Sequence, residues 1–220
     1  QGSHCRHDRR TETRNAEIAM GLENLQYEEG PTPLDPDEKE GLLIPTVSTR
    51  GELDEVEQRN IEEAIRWTLE RRKRFSMDEI FTEQFVMELH KRMYGEVWEW
   101  AGRFRNTNKN IGVDKYQIGT ELRALLDDCR YWIKNKTFPE DEIAVRFKHR
   151  IVFIHCFPNG NGRHSRLIAD VVIEKVFGKP VFTWGSQSLI RKKNFRSAYL
   201  AALRNADNGN VESLIAFARS

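Results

Sequence analysis

The sequence predicts a mostly α-helical domain of about seven helices with one small β element. Three observations carry this expectation. Apolar residues recur at three-to-four spacing in successive windows from Glu52 onward. Helix boundaries are marked where that periodicity needs them: by Ser76-Met77-Asp78-Glu79, by Pro139 ahead of Glu140, Asp141 and Glu142, and by Gly178-Lys179-Pro180. One stretch, residues 102–118, interrupts the pattern with Gly and Asn between β-branched residues and suits a short hairpin or irregular loop.

In chain order, residues 1–19 are polar, lack periodicity and open on a Gly-Ser-His that reads as an expression-vector remnant or leader, with Met20 the expected natural start. Residues 20–51 form a Pro-rich N-terminal segment; Pro31, Pro33, Pro36 and Pro45 make it extended or wrapping, because proline lacks a backbone donor and restricts its predecessor. A single helical domain is expected over 52–220. Its first helix carries Leu53, Val56, Ile61, Ala64, Ile65 and Trp67 through about Arg71. A second opens on a capping box, Ser76 with Glu79, and carries Ile80, Phe81, Phe85, Leu89 and Met93 before fading near Gly95. Others follow at about 120–135, 140–154, 162–177, 192–205 and 211–219. The tryptophans sit mostly at helical spacing and are expected in the core.

Composition excludes several function classes. Of 220 residues, 39% are hydrophobic, enough for a core. Lys+Arg 35 against Asp+Glu 34 leaves a net +1, so no global field draws the chain onto nucleic acid. The longest apolar runs, such as Ile151 to Ile154, fall far short of the ~20 residues of a membrane span. Cys5, Cys129 and Cys156 are too few and scattered for a disulfide framework or zinc cluster. A reduced, cytoplasmic protein is expected. His90, His149 and His164 lack the paired spacing of a helical metal site and are expected at the surface or at helix ends. The Arg71-Arg72-Lys73-Arg74 run reads as a solvated helix C-terminus, where cations are favoured.

The chemistry concentrates in His155-Cys156-Phe157-Pro158-Asn159-Gly160-Asn161-Gly162-Arg163-His164-Ser165-Arg166. An apolar helix delivers a histidine at its end, a Gly/Asn turn follows, and a new helix begins near Gly162. Gly160 and Gly162 permit positive φ and close approach. Successive backbone N–H groups in such a turn form an anion-binding nest at a helix N-terminus. Arg163 and Arg166, three apart, can reach the same anion, so a group with two or more phosphates is the natural occupant. His155 is the nearby side chain that titrates near neutrality and can take a proton from an incoming hydroxyl.

This segment resembles the signature of the Fic (Fic/Doc) family, His-x-Phe-x-Asp/Glu-Gly-Asn-Gly-Arg followed by a second Arg. Trp98-Glu99-Trp100-Ala101-Gly102-Arg103-Phe104-Arg105 is similar to the segment leading into that family's flap hairpin. The stretch from Glu23-Asn24-Leu25 through Gly51-Glu52-Leu53, and Asn159 in the signature, are similar to the subgroup called mobile mystery protein B. The resemblance implies a helical bundle with a β-hairpin flap and a protein adenylyltransferase moving AMP from ATP, with Mg²⁺ or Mn²⁺, to a Ser, Thr or Tyr hydroxyl. It implies His155 as general base and Phe157 as the loop's anchor in the core. Gly160, Asn161, Gly162, Arg163 and Arg166 would hold the phosphates. A flap over Asn110, Ile111, Gly112, Val113, Asp114, Lys115, Tyr116 and on to Ile118 would pin a target protein.

Two departures matter. Asn159 stands where the family has a metal-binding Asp or Glu, and an uncharged amide holds Mg²⁺ less tightly. That leaves open transfer of another phosphate-containing group, UMP or phosphate, or a non-catalytic nucleotide-binding interaction protein. Gly162, rather than the lysine of the kinase-like branch, favours AMP transfer. The family's inhibitory helix, Ser/Thr-x-x-x-Glu-Gly/Asn, is matched incompletely by Ser48 to Glu52, which Leu53 follows, and by Thr13 to Glu17. A toxin-like activity restrained by a separate antitoxin protein is the alternative.

Overall fold

The computed structural model describes residues 40–70, 72, 74–186 and 192–220. Residues 1–19, most of 20–51 with Pro31, Pro33 and Pro36, and Arg71 and Lys73 of the basic run lie outside the described residues. Among the described residues there are eight α-helices.

Helix α1, Arg50–Leu69, starts two residues before the expected Glu52 because Thr49 caps it. The Thr49 Oγ1 accepts from the Glu52 N–H at 3.3 Å while the Glu52 carboxylate accepts from the Thr49 N–H at 3.1 Å. Its inward stripe is Leu53, Glu57, Ile61, Ala64, Ile65 and Leu69. The single helix expected from Ser76 to Gly95 is two, α2 at Met77–Ile80 and α3 at Glu83–Tyr94. Ser76 and Glu79 form the expected capping box. Thr82 then breaks the run: its hydroxyl donates to the Glu79 carbonyl at 2.8 Å and accepts from the Phe85 N–H at 3.0 Å. A hydroxyl that satisfies both helix ends lets the chain turn a corner there.

Helix α4, Ile118–Asn135, ends at a left-handed Lys136, and α5, Glu140–Ile154, ends at a left-handed His155. Helix α6, Asn161–Val171, runs on as a π-helical turn over Val172–Val176. Helices α7, Lys192–Asp207, and α8, Glu212–Ala218, close the chain. Helix α1 packs on α3, α5 packs on α4, α6 and α8, and α7 packs on α8. The α6 helix is central: every residue from Arg163 to Val171 is buried. Burying Arg163, His164, Arg166 and Asp170 is costly unless each finds partners, so this helix is built for more than packing.

The expected β-hairpin flap is absent. No residue from 102 to 117 lies in a strand. Side chains replace the strand ladder: Asn108 Oδ1 accepts from the Lys115 N–H at 2.8 Å, and its Nδ2 donates to Asp114 at 2.8 Å. Asp114 accepts in turn from the Tyr116 N–H at 2.9 Å. Asx-type bonds of this kind offer the backbone an alternative to pairing. The β pairing seen near the site lies elsewhere, an antiparallel bridge between Leu42 and Trp98. It seats the residues before α1 on the segment that leads to the loop, through the Leu43 N–H to the Val97 carbonyl at 2.8 Å.

Candidate active site

The signature segment forms a rigid turn between α5 and α6. Phe157, fully buried, stacks on His90 with ring centroids 3.7 Å apart and meets His164 edge-on at 5.1 Å. Burial of such a ring contributes roughly 1.5–3 kcal/mol, and it anchors the loop in the core. Asn161 folds back to brace the turn. Its Oδ1 accepts from the Phe157 N–H at 2.9 Å and its Nδ2 donates to the Phe157 carbonyl at 2.8 Å. The Asn161 side chain is therefore engaged within the loop, and what it can offer an anion is its backbone. Gly160 caps α6 at φ 76°, and an added Cβ would stand 2.5 Å from the Tyr94 ring. Gly162 faces open space, with nothing within 4 Å of an added Cβ.

His155 sits at φ 55° as the C-cap of α5, its N–H bonded to the Ile151 carbonyl at 3.3 Å. Its Nδ1 is buried without a hydrogen-bond partner. Burial, reinforced by the Arg105 guanidinium and Lys109, holds its pKa below the ordinary histidine value, with the Val152 carbonyl opposing. A neutral imidazole at physiological pH is the form a general base requires.

The two arginines are both buried and differently held. Arg163 pairs with Glu57 of α1, and its guanidinium lies 5.1 Å from the Tyr94 ring centroid. The same Glu57 accepts from Trp98 Nε1 at 2.6 Å. Burial works against the charge on Arg163, but Tyr94, Glu57 and Asp54 around it outweigh that and keep it firmly cationic. Arg166 donates from Nε to the Gly162 carbonyl at 3.3 Å, and burial brings its pKa down to about 10.

Sequence reasoning missed Glu57, although it carried a signal: a carboxylate occupies the inward stripe between Leu53 and Ile61, where periodicity calls for an apolar residue. The residues proposed for an inhibitory role lie elsewhere. Glu52 is exposed, and its carboxylate accepts from the Ser48 N–H at 2.8 Å, the Ser48 hydroxyl at 3.0 Å and the Thr49 N–H. The Ser48 backbone bond leads in holding the Glu52 carboxyl below its usual value. Glu57 is thus the α1 carboxylate that meets a signature arginine.

The loop over 102–117 is tied to the catalytic turn by Arg105, another residue the sequence did not single out. Its N–H donates to the Cys156 carbonyl at 2.9 Å and its Nε to the His155 carbonyl at 2.7 Å. Its Nη1 reaches the Thr107 carbonyl at 2.9 Å, and Nη2 reaches that of Val113. Gly112, at φ 95°, lies so close to His155 that an added Cβ would be 2.6 Å from the histidine Cβ. Asn110 and Ile111 are exposed beside it, and Val113 and Lys115 are half-buried. Tyr116 stands 84% exposed.

A cavity of about 650 Å³ opens alongside, within the size range of small-molecule sites. It is walled by Arg50, Asp54 and Glu57 of α1, by Trp98 and Trp100, by Lys109 of the loop, and by Asn159 and Arg163. His155 and Arg166 do not line it. Asn159 is exposed, and its Oδ1 accepts from the Gly160 N–H at 2.7 Å. Among the described residues no group of three or more His, Cys, Asp or Glu could hold a metal ion. One amide oxygen fits a Mg²⁺ that arrives with phosphates, since Mg²⁺ keeps much of its shell as water and phosphate oxygen.

Of the three histidines expected at the surface or at helix ends, two are core residues. His90 and His164 are fully buried, and His149 is half-buried against Asp207 at 2.7 Å. Isolated histidines in polar contexts look solvated in sequence; here two of them form part of the packing under the loop.

Residues 80–173, from the end of α2 to the π-helical turn, match the family model described as Fic/DOC family. It is similar to proteins named "Protein adenylyltransferase Fic". The one from Aedes aegypti is 26% identical over 144 residues, 64% of this chain and 27% of that protein. The one from Nematostella vectensis is 27% identical over 144 residues, 63% of this chain and 32% of that protein. The chain thus spans only about a quarter to a third of these relatives. Among solved structures, Fic-1 (residues 134–508) from C. elegans covers 100% of this chain and 62% of its own at TM-score 0.61 and 20% identity. BepC from Bartonella tribocorum, solved with bound AMPPNP, has a TM-score of 0.58 at 19% identity and covers 89% of this chain and 94% of its own. At these identities the structures show a shared fold.

Proposed function

We propose that this protein is an adenylyltransferase that moves AMP from ATP to a Ser, Thr or Tyr hydroxyl of a target protein. The observation that carries the reading is the juxtaposition of His155, held neutral, with the α6 N-terminus, where Gly162 leaves open space and Arg163 and Arg166 supply positive charge. The names of the sequence relatives and the AMPPNP in the BepC structure support ATP as the substrate.

The Nδ1 of His155 is buried, so Nε2 is the nitrogen offered to a substrate. It takes the hydroxyl proton as that oxygen attacks the α-phosphorus. A new O–P bond forms, the bond to the bridging oxygen breaks, and pyrophosphate leaves. The backbone N–H groups of Gly160 to Gly162 and the two arginines stabilise charge on the phosphates, and such positioning supplies most of the catalysis in phosphoryl transfer. Asn159 would lend Mg²⁺ one neutral ligand, and the metal would neutralise phosphate charge. Asn110 to Tyr116 form the exposed lip on which a target segment rests.

A toxin-like role restrained by an antitoxin protein, in the cytoplasm, belongs to the same proposal. The free, buried thiols of Cys129 and Cys156 suit a reducing compartment. No helix among the described residues is long and apolar enough to cross a membrane.

The test is the position of the label. Protein incubated with ATP labelled at the α-phosphate transfers label to a protein acceptor, and protein given γ-labelled ATP does not. Transfer of γ-label alone makes the enzyme a kinase and overturns the reading. UTP labelled at the α-phosphate, run in parallel, tests the UMP transfer that the uncharged Asn159 leaves open.

A further inference from the structure

His90 lies on α3, away from any reacting atom, yet both of its ring nitrogens are engaged by backbone. The Gly102 N–H donates to Nδ1 at 3.0 Å, and Nε2 lies 3.1 Å from the Asn159 carbonyl. An amide N–H can only donate and a carbonyl can only accept. Nδ1 is therefore bare and Nε2 carries the hydrogen: the two partners select one tautomer. The ring cannot drift, because it is fully buried and stacks on Phe157 with planes 19° apart.

The two partners belong to the two segments that frame the site. Gly102 stands at the entrance to the loop over 102–117. It holds φ +75°, and an added Cβ would meet Lys91 Cβ at 2.7 Å and the Met87 carbonyl at 3.0 Å. Only glycine brings its N–H this close to the α3 surface. On the other side, the Asn159 carbonyl and the Gly160 N–H are the two ends of one planar peptide unit. Fixing the carbonyl fixes the direction of the N–H. That N–H is the first donor of the turn at the α6 N-terminus, and Asn159 Oδ1 covers it at 2.7 Å until another acceptor displaces it.

We propose that His90 is a positioning residue for the phosphate-binding turn: its Nε2–H holds the Asn159–Gly160 peptide plane and so aims the Gly160 N–H at the anion. The role rests on the nucleotide reading given above. It gives the active site a support that joins α3, the loop entrance and the signature turn through one side chain.

The experiment compares His90→Gln, which keeps a donor at the reach of Nε2, with His90→Asn, which keeps an acceptor at the reach of Nδ1. Each loses one buried hydrogen bond, so both lower the melting temperature to a similar extent. Amide ¹H–¹⁵N spectra of the full chain keep the Gly160 resonance in place in His90→Gln and move it in His90→Asn. ATP with Mg²⁺, titrated calorimetrically, binds His90→Gln within about threefold of the wild type and His90→Asn about tenfold or more weakly. Two variants alike in Gly160 shift and in ATP affinity would overturn the role, leaving His90 a packing residue. If the wild type binds no ATP, the nucleotide reading fails, and the Gly160 resonance still decides the role of His90. Imidazole ¹⁵N spectra of the wild type supply a check that needs no variant: a proton on Nδ1 rather than Nε2 refutes the arrangement.

Discussion

At the scale of single residues, the site depends on atoms that are missing as much as on those present. Gly160 has room for hydrogen only: a Cβ would press on the Tyr94 ring at 2.5 Å, at a φ of 76° that an L side chain resists. Gly160→Ala should cost on the order of 3 kcal/mol in urea-unfolding free energy, from overpacking plus left-handed strain. Gly162→Ala, helical and with open space around it, should instead leave stability unchanged or raise it by up to about 1 kcal/mol. Asn159 lacks a charge, and this too is testable. Asn159→Asp should tighten Mg²⁺ binding in the presence of ATP several-fold, read by metal titration, because a carboxylate binds a hard cation better than an amide does. No gain would mean that the side chain stays on the Gly160 N–H and never reaches the metal.

At the scale of elements, α1 contributes to the site from more than a hundred residues away in sequence. Its Glu57 neutralises Arg163 inside the core, and breaking a buried pair from one side costs about 3–5 kcal/mol. Glu57→Gln should therefore melt well below the wild type without ligand and recover much of the difference in saturating ATP, whose phosphates can replace the lost carboxylate. Thermal melts with and without ATP measure this; equal loss in both conditions would mean that the phosphates never reach Arg163.

The same scale shows what could be read from the sequence. The turn between α5 and α6 was legible because its chemistry needs particular residues at fixed spacing: His155, Gly160, Gly162 and two arginines three apart. The capping box at Ser76 was legible because both partners are local. Glu57 with Arg163, and Arg105 with the His155 carbonyl, were not, since each partner lies far off in sequence. Of the short hairpin or irregular loop that residues 102–118 suggested, the loop forms, because Asn108 and Asp114 satisfy the backbone from their side chains. Thr82, an unremarkable residue in a helical pattern, split one expected helix into two.

At the scale of the whole molecule, buried titratable groups set how stability follows pH. Burial is the first cause in each case, lowering His164 to about 4 and His90 well below its ordinary value. His149 and His155 are lowered as well. These histidines fold neutral, and unfolding lets each take up a proton below about pH 6.5. The unfolded chain then binds more protons, so stability falls as pH drops from about 6.5 to about 4, by about 3 kcal/mol for His164 alone. Asp170 has the opposite sign. Burial raises its carboxyl to about 8, so the folded chain keeps a proton that the unfolded chain has released, and that contribution disappears as pH rises through 8. Four histidines outweigh Asp170 and Asp54, whose carboxyl burial also raises, on the acid side; above about pH 6.5 Asp170 lowers stability as pH rises, and the buried Lys148, whose ammonium burial disfavours, opposes it. Urea unfolding across pH should show a maximum near pH 6.5; a stability that keeps rising to pH 8 would contradict these assignments.

The charge of the whole molecule, close to zero, hides a local concentration: Arg163 and Arg166 stand in the first turns of a helix that follows a histidine folding neutral. Whether that concentration performs AMP transfer is decided most directly by mass spectrometry of proteins incubated with ATP and Mg²⁺, wild type against His155→Ala. An adenylyl adduct on a hydroxyl side chain should form with the wild type and fall by at least about a hundredfold with His155→Ala, while ATP still binds both. Nucleotide bound without any adduct, or equal adducts from both proteins, would contradict it.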